Sequence, residues 1–84
     1  MLFVVDARIR EGADIEPLLE AELAAVNALR EEGLIEQLFR RIDNTGAWLV
    51  VDAPSAEEAQ QRLDALPFVV GSVMTMTLSP SERL

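Results

Sequence analysis

The 84-residue chain contains no cysteine, histidine, lysine or tyrosine. Without cysteine there is no disulfide framework, no thiolate nucleophile and no cysteine-based metal site. Without histidine the chain lacks the commonest metal ligand and the usual general base. We therefore expect neither a metal nor another cofactor. Any proton transfer on this chain has to use a glutamate or an aspartate.

Positive charge is also scarce, because every cation is an arginine and the formal net charge is −8. Nucleic acids and anionic membrane surfaces both require a basic face, so we expect neither as a partner. No apolar run approaches the roughly 20 residues of a membrane span. The apolar start, Met1–Val5, is too short for a signal peptide. The expected compartment is the cytoplasm.

Hydrophobic residues make up 50% of the chain, which suffices for the core of one small domain. We expect this domain to span residues 1–78, followed by a flexible tail over residues 79–84. A chain of this length often gains stability by associating with copies of itself. We therefore expect a homodimer or a higher homo-oligomer.

Four segments are rich in β-branched and aromatic residues, and in most of them apolar residues alternate with polar ones, which predicts β-strands. Asp43–Gly46, with the sequence DNTG, is typical of a tight turn and predicts a hairpin between the second and third strands. The predicted strands are Leu2–Arg10, Leu34–Asp43, Ala47–Ala53 and Phe68–Leu78.

Two helices are predicted between these strands. Asp14 is a candidate N-cap for the first helix, and Gly33 is a typical C-terminal stop after about Glu32. The sequence SAEE, Ser55–Glu58, is a capping box that predicts the start of the second helix. Pro67 predicts the end of that helix.

The order β-α-β-β-α-β predicts a ferredoxin-like α+β fold, an antiparallel sheet with both helices on one face. The fourth predicted strand is apolar on both sides, with Val69 and Val73 on one side and Val70, Met74 and Met76 on the other. A strand that is apolar on both faces requires cover on both. We therefore predict a dimeric α+β barrel, with the two methionines filling the interface between subunits.

Glu22 lies within the apolar stripe of the first helix. At 100° per residue, with Leu18 set to zero, Glu22 falls at about 40° and lies between aliphatic positions such as Leu29 and Val26. Burying an unpaired charge is costly. Glu22 either pairs with an arginine, extends to water, or lies in an apolar pocket where burial raises its pKa and makes it a proton shuttle.

Arg40 and Arg41 are neighbours on the second predicted strand, so they point to opposite faces of the sheet. The sequence alone does not decide which of them faces the helices. A guanidinium near an apolar pocket binds a carboxylate or stabilises an enolate. The alternative is a simple ion pair of Arg40 with Glu22, Glu36 or Asp52.

Three further residues on the predicted hairpin are candidates for substrate binding. Phe39 and Trp48 are aromatic side chains on adjacent strands and are candidate pocket walls, although tryptophan is more often part of a core. Asp52 shares a strand face with Trp48 and is a polar group at the strand end.

The chain resembles the muconolactone Δ-isomerase family over nearly its whole length. The shared motifs are the opening MLFVV, the helix end LREEG, LFR where the family favours LWR, VD followed by PS, and LPF after the second helix. The resemblance implies a dimeric α+β barrel that moves a double bond in a small unsaturated lactone acid by removing and returning a proton, without cofactor or metal. Glu22 aligns with the family's helix-one glutamate, and Arg40 with the LWR arginine.

The hairpin turn departs from the family, which typically has histidine and tyrosine where this chain has Asn44 and Thr45. Asn44 is therefore a candidate substrate-binding residue, and the substrate stays open within small ligands that carry a carboxylate or a carbonyl. Two alternatives remain: a non-catalytic dimeric barrel that serves as a binding or assembly module, and a cofactor-free monooxygenase or cyclase that acts on a polyketide-like compound.

Overall fold

The computed structural model describes all 84 residues. Four strands form one antiparallel sheet in the order β2-β3-β1-β4, and the helices pack on one face of it. This confirms the predicted ferredoxin-like α+β topology. The elements are β1 (Leu2–Ile9), α1 (Glu16–Glu32), β2 (Ile35–Arg40), β3 (Gly46–Asp52), α2 (Ala56–Asp64), α3 (Pro67–Val70) and β4 (Met74–Ser81).

The strand register divides the sheet into a helix-side face and an outer face. Residues that pair directly across antiparallel strands point to the same side. Val5 of β1 lies opposite Leu49 of β3, and both are buried beneath the helices. The alternation of β1 is as predicted, because its buried positions are every second residue from Phe3 to Ala7.

The predicted helix ends are present. Gly33 ends α1 in the left-handed conformation, with φ 89°. At the other end of α1 the N-cap residue is Ile15, one residue after the predicted Asp14, and its side chain makes no capping bond. The Asp14 carboxylate accepts a hydrogen bond from the Glu16 backbone N–H at 3.2 Å and so stabilises the start of α1 from one residue further back. The Ser55 hydroxyl accepts from the Glu58 N–H at 3.1 Å at the start of α2, as in a capping box.

The predicted start of the fourth strand, at Phe68, is wrong. Pro67–Val70 forms the one-turn helix α3, because Leu66 has an extended backbone and Pro67 has a φ suited to a first helical position. Ser72 then turns the chain with φ 60°, and β4 begins at Met74.

β4 continues to Ser81, so residues 79–81 pair with β1 instead of belonging to a loose tail. Pro80 is tolerated within it because β4 is an edge strand of the sheet.

The argument for an interface on β4 also fails. Met76 pairs with Ala7 on the helix-side face, and Met74 is buried there. The outer positions of β4 are Thr75, Thr77 and Ser79. The apolar part of the outer face comes from the other strands, with Val4, Phe39 and Trp48 exposed there.

None of the helices is both long and apolar enough to cross a membrane.

Candidate active site

A cavity of about 390 Å³ lies between α1 and the helix-side face of the sheet. Of the 17 residues that line it, 13 are hydrophobic. Its only ionisable side chains are those of Glu22 on α1 and Arg40 on β2, and Asn44 adds one amide. The cavity is therefore an apolar chamber with one acid and one cation in its wall.

Glu22 is buried, with 5% of its surface exposed. Its Oε1 atom accepts a hydrogen bond from the backbone N–H of Phe68 at 2.9 Å, and it forms no ion pair. The sequence left an ion pair, escape to water and an apolar pocket open, and the structure has the third arrangement. Burial raises the pKa of Glu22, and the hydrogen bond from Phe68 offsets part of that rise.

The donor to Glu22 is supplied by the start of α3. The first N–H groups of a helix have no acceptor within the helix. Pro67 occupies the first position and has no N–H, so Phe68 supplies the first free donor of α3. Because a charged acceptor makes a hydrogen bond stronger, this N–H favours the carboxylate over the protonated acid.

The register settles which arginine faces the helices. Arg40 pairs with Ala47, and Ala47 pairs with Ala7, which is buried on the helix side. The Arg40 side chain therefore reaches the cavity, although the residue as a whole is exposed. Arg40 thus lies where the chamber meets solvent.

Arg40 forms no ion pair, because each of the three acids predicted as its alternative partners interacts with another group. Glu22 accepts from Phe68, and Glu36 binds Arg83. Asp52 accepts a hydrogen bond at 3.0 Å from the N-terminal ammonium group. The Arg40 guanidinium is therefore free to bind an anion from solution.

Arg41 lies on the outer face of the sheet. Its Nη2 donates to the Asp6 carboxylate, and its guanidinium carbon lies 4.2 Å from the centre of the Trp48 ring. Its Nε is buried and has no hydrogen-bond partner. Arg41 is thus separated from Glu22 by the sheet.

Phe39, Trp48 and Asp52 do not line the cavity. Phe39 and Trp48 form a directly opposed pair in the register, one position away from the helix-side pair of Arg40 and Ala47. Because neighbouring residues in a strand point to opposite faces, both aromatic side chains lie on the outer face. Their predicted role as walls of the pocket beside Glu22 is therefore wrong, and Asp52 lies on that same outer face.

Other residues supply the apolar walls. They include Leu19 and Leu23 from α1, and Met74 and Met76 from β4. The sequence contained a signal for the methionines, since their spacing placed both on one face. The predicted interface position is wrong because it counts residues 68–73 as part of the strand, which makes both strand faces apolar, whereas these residues form α3 and the turn that follows it.

Asn44 lines the cavity from the β2–β3 turn and has φ 62°. The Asp43 carboxylate fixes this turn by accepting from the Thr45 N–H at 3.0 Å and the Thr45 hydroxyl at 2.6 Å. These bonds, the one from the hydroxyl first, lower the pKa of Asp43. Gly46 closes the turn where a Cβ would lie 2.0 Å from the Ala7 carbonyl oxygen. The turn therefore presents the Asn44 amide from a well-defined backbone.

Comparison with protein families assigns the chain. The family model described as muconolactone delta-isomerase matches residues 1–83. The chain belongs to the muconolactone delta-isomerase family. This confirms the resemblance seen in the sequence motifs. A search of curated proteins finds no match.

Two solved structures share the fold of this family member. A crystal structure of muconolactone isomerase has 25% sequence identity and a TM-score of 0.83, covering 100% of this chain and 91% of the other. A 5-chloro-2-hydroxyhydroquinone dehydrochlorinase from Burkholderia phenoliruptrix AC1100, in complex with 2,5-dihydroxybenzoquinone, has 18% identity and a TM-score of 0.76. That match covers 98% of this chain and 94% of the other, and it shows a common fold.

Proposed function

We propose that this member of the muconolactone delta-isomerase family is a cofactor-independent isomerase. It moves a double bond in a small unsaturated lactone or organic acid, and Glu22 is the proton shuttle. The observation that supports this most directly is the buried Glu22 carboxyl, which faces an apolar cavity without a neutralising arginine. The family assignment over residues 1–83 supports the same reaction class.

The proposed reaction needs one base. The Glu22 carboxylate removes a proton from a carbon made acidic by a conjugated carbonyl, and the electron pair of the broken C–H bond moves into the conjugated system to give a dienolate. Glu22, now a carboxylic acid, returns the proton to a different carbon, and the double bond ends in its new position. No electrons are gained or lost, so the step requires no redox partner. A base whose pKa lies closer to the operating pH transfers protons in both directions more efficiently.

Arg40 and Asn44 are proposed to hold the substrate. A carboxylate on the substrate pairs with the exposed Arg40 guanidinium, which leaves the apolar ring inside the chamber. The Asn44 amide faces the same space and is available to a carbonyl oxygen. The cavity of about 390 Å³ is within the size of pockets for small molecules. A reaction of this kind suits the breakdown of aromatic compounds.

We also propose that the protein is a homodimer joined through the outer face of the sheet. On that face Trp48 and Phe39 keep 40% and 54% of their surfaces exposed. The Arg41 guanidinium stacks on the Trp48 ring, with its carbon 4.2 Å from the ring centre. Exposed aromatic groups that lie together on an uncovered sheet face are typical of a surface that is covered by another chain.

The decisive experiment follows proton exchange by NMR in deuterium oxide, with muconolactone and a panel of small unsaturated acids and lactones. The wild-type protein should isomerise at least one panel compound and exchange its transferable proton with solvent. Glu22→Gln should abolish both processes. Glu20→Gln, an exposed position on the same helix, is the matched control and should retain both.

A non-catalytic binding module would give a different result. The panel compounds would bind, for example in a fluorescence or calorimetric titration, but none would exchange protons, and Glu22→Gln would bind as well as the wild type. A monooxygenase or cyclase would leave the lactones unchanged and consume dioxygen or close a ring on a polyketide-like compound. Either result contradicts the proposed isomerase.

A further inference from the structure

Two residues on the same side of α1 contact opposite ends of the short helix α3. Leu18 and Glu22 are four residues apart, so they lie one above the other on the α1 surface. Glu22 accepts the hydrogen bond from Phe68, the second residue of α3. The Leu18 side chain packs over Gly71, the residue that ends α3. Helix α3 is thus attached to α1 at both of its ends.

Gly71 has an ordinary backbone conformation, with φ −78°, so its backbone does not require glycine. The space around Gly71 nevertheless favours a residue without a side chain. A Cβ at this position would lie 2.4 Å from the Leu18 Cδ1 atom and 3.1 Å from the Pro67 carbonyl oxygen. The Gly71 N–H also donates to that Pro67 carbonyl at 2.8 Å and closes the single turn of α3. The missing side chain is what allows Leu18 to pack directly on this turn.

We infer that α3 is a positioning element for the Glu22 carboxyl, and that the packing of Leu18 on Gly71 holds α3 where its Phe68 N–H reaches Glu22. The inference rests on the proposed function only in calling Glu22 the base. The contact itself is independent of any substrate. Neither Leu18 nor Gly71 lines the cavity, so both act through Glu22.

The charged surroundings of Glu22 are simple enough to make this testable. Of the elements around the cavity, β2 contributes Arg40, and β1, β3, β4 and α3 contribute no ionisable side chain. Arg40 forms no ion pair with Glu22. The N–H of Phe68 is therefore the one direct hydrogen bond that stabilises the Glu22 carboxylate, and its loss has to raise the pKa of Glu22 further.

The test compares Gly71→Ala, Leu18→Ala and the double variant Gly71→Ala/Leu18→Ala with the wild type. In Gly71→Ala the new methyl group has to displace the Leu18 side chain or α3 itself, and either movement loosens the packing of α3 on α1. The pKa of Glu22, read from the carboxyl carbon by NMR with labelled glutamate, should then rise above the wild-type value. The Phe68 amide should exchange with solvent roughly fivefold to tenfold faster, as expected for the loss of one hydrogen bond. The ascending limb of the pH profile of kcat/KM should move to higher pH by the same amount as the pKa.

Leu18→Ala alone leaves a gap over Gly71, so it should also raise the pKa of Glu22 and speed the exchange of the Phe68 amide. The double variant supplies the rescue, because the new methyl group at residue 71 fills part of the gap that the shortened residue 18 leaves. Its Glu22 pKa and Phe68 exchange should return toward the wild-type values, whereas a loss of stability alone would add in the double variant. A Glu22 pKa and a Phe68 exchange rate in folded Gly71→Ala equal to those of the wild type would overturn the inference. So would a double variant that shifts further than Gly71→Ala. Because both NMR readouts need no turnover, they separate failure of this inference from failure of the proposed isomerase.

Discussion

Glu22 and Phe68 are 46 residues apart in the sequence, and the backbone N–H of Phe68 donates to the Glu22 carboxyl at 2.9 Å. This contact joins the middle of α1 to the start of α3 beside the cavity. The Glu22 carboxyl is thus buried with one hydrogen-bond donor and no ion-paired cation. It is desolvated, and no opposite charge neutralises its carboxylate form. An acid in this situation has a raised pKa and retains a strong affinity for a proton.

The first prediction concerns the pH dependence of stability. Burial raises the folded-state pKa of Glu22 above its value of about 4.5 in the unfolded chain. At pH values between the unfolded-state pKa and the folded-state pKa of Glu22, the folded protein binds more protons than the unfolded chain. The contribution of Glu22 to stability therefore falls as pH rises through the folded-state pKa. Glu22→Gln keeps an oxygen for the Phe68 N–H and does not titrate. Its stability relative to the wild type should therefore increase with pH, so that it melts at an equal or higher temperature at neutral pH.

Urea unfolding at about pH 4 and about pH 8 measures this difference. The difference between the two proteins should be smaller at the lower pH, where Glu22 is protonated in both states. Glu20→Gln is the control, because this exposed residue has no burial to relieve. If Glu22→Gln loses stability relative to the wild type as pH rises, the Glu22 carboxylate is stabilised by a partner and the desolvated-acid interpretation fails.

The second prediction concerns Glu22→Ala, which removes the acceptor altogether. The Phe68 N–H then lies buried without a partner, which costs about 1–3 kcal/mol of stability. Chemical denaturation at about pH 4, where wild-type Glu22 is protonated and its charge has no burial cost, should show this loss, while Glu20→Ala should change stability by less than about 0.5 kcal/mol, as is usual at a surface position. Equal effects of the two substitutions would mean that water replaces the Glu22 oxygen and that the site is wetter than the structure shows.

The third prediction concerns Arg40→Gln. Because Arg40 makes no ion pair within the protein, its removal should leave stability within about 0.5 kcal/mol of the wild type. It should weaken binding of a carboxylate ligand by about tenfold or more, through loss of a charge-assisted hydrogen bond. Calorimetry with a ligand acid and with its methyl ester separates the charge effect from other effects, since the ester should bind both proteins alike.

Arg10→Gln is the matched control for Arg40→Gln, because Arg10 is also exposed and also forms no ion pair but does not line the cavity. It should bind the acid as the wild type does. Equal weakening by both substitutions would indicate a general effect of net charge and would remove Arg40 from the proposed site.

Local patterns in the sequence predicted most of the fold and one half of the site. Glu22 was identified by helical periodicity, because a long amphipathic helix fixes which residues face the sheet. The choice between Arg40 and Arg41 depended on strand register. The alternation in β2 is interrupted by an irregularity between Ile35 and Gln37, and such shifts exchange the two faces of a strand.

The hydrogen bond from the Phe68 N–H to Glu22 could not be predicted from local sequence patterns. Phe68 and the two valines that follow it are β-branched or aromatic and predicted a strand. The packing of this segment against α1 overrides that propensity and forms α3 instead. A single-turn helix has too few residues to show a periodicity of its own, so its position and its free N–H are visible only in the tertiary structure.

The last prediction concerns self-association through the outer face of the sheet. Trp48→Glu places a charge in the centre of the exposed apolar surface that also contains Val4 and Phe39. If this surface joins two copies, burying the new carboxylate in the dimer is costly, and the variant should be monomeric at concentrations where the wild type is a dimer. Sedimentation velocity over a range of protein concentrations measures this directly.

Ile42→Glu is the matched control, since it adds the same charge at a fully exposed apolar residue in the β2–β3 turn. It should remain dimeric. A wild-type protein that stays monomeric at all concentrations would show that Trp48 and Phe39 are simply solvent-exposed.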